Sequence, residues 1–174
     1  MSWPVSWESG SPEVTRELAG RVAALCRAGD VVLLVGDLGA GKTVFAQGFA
    51  AALGVAGPVT SPTFALVRHY RCGEQGQVST LIHADVYRTG SLDEVAELAL
   101  AELVEEDAVA LVEWGELAAP VLGESSLEVT IVAPDPVGAP ESRVLTLTGR
   151  GRWADRPEVS AALATTAPGA GSDR

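Results

Sequence analysis

The chain has 174 residues, 47% hydrophobic and 20% charged, which suits one globular domain with a sizeable core. Twelve basic against 23 acidic side chains leave a net charge of -11, which argues against unaided nucleic-acid binding and against adhesion to anionic membrane. A cytoplasmic protein without a disulfide framework is predicted. There is no basic-then-apolar leader and no bilayer-length apolar run, and the only cysteines, Cys26 and Cys72, lack zinc spacing.

In chain order, residues 4–8 suit a short edge strand, with Trp3 and Trp7 as packing residues. Ser11-Pro12-Glu13 reads as a helix start: an N-cap, a proline at the first helical position, then an acid in the first turn. Val14, Leu18, Val22 and Leu25 share one face of that helix, Cys26 packs, and Gly29 ends it. Val31-Val32-Leu33-Leu34-Val35 is apolar without alternation, as in a central strand covered on both faces. A second helix is predicted from about Lys42 to Leu53, closed by Gly54. Residues 58–64 read as a loop, 65–70 as a strand, 71–77 as a turn and 78–85 as another strand.

Ser91-Leu92-Asp93-Glu94 is a capping box for a helix to about Glu105, with Leu92, Val95, Leu98, Ala99 and Leu103 on its buried stripe. Its acids, with Glu106 and Asp107 beyond, form a solvated face or a docking face for a basic partner. Residues 108–112 are again an apolar run, ending in Glu113. Residues 127–133 and 143–148 alternate and read as an antiparallel pair joined through the Pro/Gly segment 134–140. From residue 167 no packing residues remain, which predicts disorder. The order of elements predicts an α/β domain over residues 1–155, a mixed β-sheet flanked by helices, followed by an extension over 156–174.

Of the twelve basic residues every one but Lys42 is arginine, and Lys42 stands in Gly36-Asp37-Leu38-Gly39-Ala40-Gly41-Lys42-Thr43. That segment matches G-x-x-x-x-G-K-[ST] between an apolar strand and a helix, the context a phosphate loop requires. Its glycines open backbone conformations closed to other residues, so that successive N–H groups can cradle an anion at a helix N-terminus. Lys42 can reach β- and γ-phosphates as a compact cation, and the Thr43 hydroxyl can ligate Mg2+. Such a loop needs an acid for the metal and a group to place the nucleophile, and Asp85 and Glu113, each ending an apolar strand, compete for these roles. With Lys42 the sole lysine, the lysine-containing guanine-reading signature of GTPases cannot exist, which tilts the nucleotide toward ATP.

Thr60-Ser61-Pro62-Thr63-Phe64, His83-Ala84-Asp85-Val86-Tyr87-Arg88 and Val112-Glu113-Trp114-Gly115-Glu116 follow the phosphate loop in that order. This set resembles the TsaE (YjeE) family over roughly residues 5–150. The resemblance implies a P-loop NTPase fold that binds and hydrolyses ATP with Mg2+ in bacterial tRNA threonylcarbamoyladenosine biosynthesis. It implies TsaD, which modifies adenosine 37, and TsaB as partners, with the ATPase resetting their complex and touching tRNA only through it. By the same resemblance residues 36–43 are the phosphate loop, Thr63 a switch-like threonine, Asp85 a Walker-B-like aspartate and Glu113 a metal- or water-directing glutamate. Trp114 then lies beside the nucleotide, and Ser11 and Thr15 sit where the family's N-terminal segment approaches it. His83 reads as a locally hydrogen-bonded strand side chain and Tyr87 as packing; Arg88 either touches phosphate or pairs with an acid. A small-molecule P-loop kinase is the rival reading, although no arginine-rich lid is visible.

Overall fold

The run Val31–Val35 forms β2 and occupies the middle of the sheet, because it has no polar face to give to water. The computed structural model describes residues 3–62, 67–74, 76–87 and 107–165. The helix expected from residue 91, Thr63, Arg88 and the tail from 167 lie outside the described residues.

Across the sheet the order is β1 (Trp3–Ser9), β7 (Arg143–Gly149), β6 (Leu127–Val132), β2, β5 (Ala108–Glu113), β4 (Thr80–Asp85) and β3 (Val67–Arg71). β2 runs parallel to β5 and to β6, and β4 runs parallel to β5. The remaining pairs, β1–β7, β6–β7 and β3–β4, are antiparallel, so the sheet is mixed as predicted. The alternation expected of β6 and β7 is present: Leu127, Val129, Ile131, Leu145 and Leu147 are buried while the strand residues between them are not.

Each face of β2 meets a different layer. Val32 and Leu34 join the core under α1 (Pro12–Leu25) and α2 (Lys42–Ala52), with Phe45 and Phe49. Val31 and Leu33 join Ile82, Ala110, Val112 and Ala118 on the opposite face, under α3 (Gly115–Leu122). α1 and α2 approach so closely that a Cβ on Gly48 would lie 2.4 Å from the Cα of Arg16. α1 starts as expected, with the Ser11 hydroxyl accepting from the Val14 N–H.

Two elements are not readable from the pattern. α3 is short and carries Pro120, which breaks the usual helical signal. α4 (Pro157–Ala164) lies in the segment that the sequence sets apart as an extension. Residues 156–164 are fastened to the domain: Arg156 holds Asp30 with 2.9 and 3.0 Å bonds, Val159 and Leu163 are buried, and the Trp7 indole donates to the Leu163 carbonyl at 2.9 Å. Among the described residues no helix is long and apolar enough to cross a membrane.

The register brings the functional candidates together. Glu113 lies opposite Leu34 on one side and Asp85 on the other, so β2, β5 and β4 end at one edge. The chain leaves β2 there, toward α2, while the strands on either side of β2 enter from later in the sequence. Such a switch point opens a crevice at the carboxyl ends of parallel strands.

Candidate functional site

The loop from β2 to α2 is shaped by its glycines. Gly36 has φ 153°, and a Cβ there would come within 2.5 Å of the Ile131 carbonyl, so only glycine lets the loop pass β6. Gly41, at φ 110°, is the N-cap of α2 and turns the chain into the helix. The first turn of a helix leaves backbone N–H groups without intrahelical partners, and here it opens into a cavity of about 470 Å³.

Leu38, Gly39, Gly41, Lys42 and Thr43 line that cavity together with Asp85, Glu113 and Trp114. Gly36, Asp37 and Ala40 support it from behind. The Lys42 ammonium donates to the Gly36 carbonyl and, at 2.9 Å, to that of Asp37. Ala40 is buried and its carbonyl accepts from Arg143 Nε at 2.7 Å. Lys42 is 5% exposed and its Nζ lies 3.8 Å from the centre of the Trp114 ring. Burial lowers the lysine's pKa from its ordinary value, against the opposing pull of Glu113, Glu116, Asp85 and Asp37. Trp114 itself has φ 60°, a left-handed conformation costly for a bulky residue, which turns the chain sharply between β5 and α3.

Glu113 reaches in two directions. Its Oε2 accepts from Thr43 Oγ1 at 3.4 Å, and its Oε1 lies 2.9 Å from Nε2 of His83, so His83 is locally hydrogen-bonded as the sequence suggests. Asp85 also has both oxygens engaged: Ser61 Oγ donates to Oδ2 at 2.7 Å and the Tyr87 N–H to Oδ1 at 3.0 Å. The Tyr87 ring packs on Trp114 with centroids 4.4 Å apart.

Ser11 and Thr15 do not line the cavity. Ser11 caps α1, and the buried Thr15 hydroxyl is tied to Ser9 Oγ at 2.8 Å. Thr63 falls outside the described residues. Two further residues, Ser61 and Arg143, reach the site without a role expected for them. Ser61 stands in the quoted Thr60-Ser61-Pro62 segment, which was the available signal. Arg143 begins an ordinary alternating strand and gave none, yet its guanidinium also donates to the Gly39 carbonyl at 3.3 Å and so braces the phosphate loop from β7.

A family model described as threonylcarbamoyl adenosine biosynthesis protein TsaE matches residues 9–138. The chain belongs to the TsaE family. The tRNA threonylcarbamoyladenosine biosynthesis protein TsaE of Streptomyces coelicolor is 45% identical over 141 residues, covering 80% of this chain and 93% of that protein. Its counterpart from Bacillus subtilis is 42% identical over 127 residues, covering 73% and 77%. A crystal structure of YdiB from Bacillus subtilis matches with a TM-score of 0.67 at 33% identity, covering 92% of this chain and 97% of that one. The fold of this TsaE-family chain is therefore the P-loop NTPase fold that the phosphate loop predicts. The family match includes the phosphate loop, Asp85, Glu113 and Trp114, and ends before Arg143.

Proposed function

We propose that this TsaE-family protein is a Mg2+-dependent ATPase of tRNA N6-threonylcarbamoyladenosine biosynthesis that resets the TsaB–TsaD transfer complex. One observation carries the reading: the chain's single lysine, a helix N-terminus and the Thr43–Glu113 oxygen pair share one cavity. The absence of a second lysine from the sequence favours ATP over GTP. The net charge of -11 favours contact with tRNA through protein partners.

Thr43 Oγ1 and Glu113 Oε2 are hard oxygen donors 3.4 Å apart at the mouth of the helix, which fits Mg2+. Among the described residues no three carboxylate, imidazole or thiol groups converge on one point. That also fits an ion that takes few protein ligands and completes its shell with phosphate oxygens and water. When bound, Mg2+ supplies neutralising charge to the phosphate chain. Thr43 and Glu113 would hold it, with Asp85 as the neighbouring acid.

The chain's own residues do the rest. Backbone N–H groups of the loop and of α2 receive the phosphates. Lys42 exchanges the carbonyls of Gly36 and Asp37 for β- and γ-phosphate oxygens, a stronger set of acceptors for an ammonium. Glu113 or Asp85 accepts a hydrogen bond from the attacking water and aligns it with the γ-phosphorus, and ADP leaves on the opposite side. Hydrolysis alters the contacts of Trp114, which packs on Lys42 and Tyr87, and so changes affinity for the partner complex.

The test is ATP hydrolysis by the reconstituted complex with TsaB and TsaD. Lys42→Ala and Glu113→Ala should each abolish it, with inorganic phosphate as product in the wild type. Near-normal turnover by Glu113→Ala removes that residue from the mechanism. A phosphorylated metabolite in place of free phosphate would make the protein a kinase.

A further inference from the structure

We infer that His83 is the positioning residue of Glu113: its Nε2–H pins one carboxylate oxygen so that only the other faces the cation position. The inference rests on the ATPase reading above and deepens it.

Three observations carry it. First, the register pairs Asp85 with Glu113 and His83 with Leu111, so alternate residues place His83, Asp85 and Glu113 on the same face of the sheet, toward α2. His83 is 0% exposed, and its Nε2 lies 2.9 Å from Oε1 of Glu113. Second, Glu113 is divided between two partners, with Oε1 on His83 and Oε2 on Thr43. The last torsion of a glutamate is broad and roughly two-fold, so an untethered carboxylate would sample many orientations. A donor fixed in a buried strand removes that freedom.

Third, His83 Nδ1 is buried without a hydrogen-bond partner among the described residues. A ring proton on Nδ1 would be a buried N–H with no acceptor, the costlier kind of orphan. The proton therefore belongs on Nε2, where it points at the carboxylate. The Tyr70 ring packs beside the imidazole, 6.5 Å between centroids, and its hydroxyl also has no partner among the described residues. An apolar side chain would fill this space without an unpaired nitrogen. Retaining an imidazole there costs stability, and what it returns is the orientation of Glu113.

The experiment measures Mn2+ binding in the presence of ADP, by electron paramagnetic resonance of the free ion, for wild type and His83→Leu, His83→Gln and His83→Asn. His83→Leu should weaken Mn2+ about tenfold or more, the usual effect of losing a partner behind a metal ligand. ADP affinity without metal should stay at the wild-type value. His83→Gln places an amide nitrogen near the Nε2 position and should recover most of the affinity; His83→Asn places it near Nδ1 and should not. A His83→Leu protein that binds Mn2+ like wild type, or equal behaviour of the Gln and Asn variants, overturns the inference. Wild type alone gives an independent check: long-range 1H–15N correlations should show the Nε2–H tautomer at His83, and an Nδ1–H tautomer overturns the inference without any variant having to fold. Wild type that binds no Mn2+ with ADP would sink the ATPase reading and this inference together. Normal wild-type binding with an indifferent His83→Leu sinks this inference alone.

Discussion

Asp30, just before β2, and Lys42, just after the loop that leaves it, are both buried charges, 4% and 5% exposed. Their surroundings differ in kind. Both Asp30 oxygens accept from one Arg156 nitrogen, Nη2, and Oδ2 also accepts the Arg27 N–H at 2.8 Å, while Arg156 stacks on Trp153. Lys42 rests on two loop carbonyls and an indole beside an open cavity. The Asp30 carboxylate takes its partners from within the fold, and the first cluster holds that fold together. The second is satisfied by groups that a phosphate can replace. A buried charge thus marks a ligand site when its partners are exchangeable and water can reach it, and marks a staple when they are neither.

The largest expected effect breaks the staple. Asp30→Ala leaves the Arg156 guanidinium buried and unpaired and should cost about 3–5 kcal/mol in urea unfolding, with ATP affinity of the folded fraction unchanged. Lys42→Ala should do the reverse. It should weaken the response to ATP by about a hundredfold or more in turnover, while the unfolding midpoint stays put or rises as a desolvated ammonium is removed. If both variants lose stability alike, the contrast between the two ends of β2 fails.

Gly48→Ala probes the layer between those ends. Its Cβ would meet the Arg16 backbone at 2.4 Å, and separating α1 from α2 should cost about 1–3 kcal/mol by thermal unfolding. The smallest effect concerns Cys26, beside the Asp30 cluster. Burial, reinforced by the Asp30 carboxylate, raises its thiol pKa well above the ordinary value, with Arg156 opposing. The folded thiol therefore keeps its proton where the unfolded one loses it. Its contribution to stability is complete below about pH 8.5 and declines as pH rises beyond that, a decline that Cys26→Ala should remove from urea titrations. Alkylation of the native protein at that pH should leave Cys26 unmodified.

The phosphate loop was legible because its chemistry is local: glycines, lysine and threonine act within eight consecutive positions. β2 and β5 were legible because a strand covered on both faces leaves an unbroken apolar run, and β6 and β7 because one covered face leaves alternation. α3 was hidden by its shortness and Pro120, and α4 by the lack of any local sign that Arg156 would find Asp30. Arg143 was invisible for the same reason, since it meets Ala40 across 103 positions of sequence.

By itself, the order of residues determined that an anion-binding turn follows a central strand, and that two acids end apolar strands, because backbone freedom and burial pattern are properties of neighbours in the chain. Only the folded sheet decided how those acids are used. Parallel register sets Glu113 between Leu34 and Asp85, turns one of its oxygens to Thr43 and the other to His83, and so divides a single carboxylate between a strand and a helix that no sequence spacing connects.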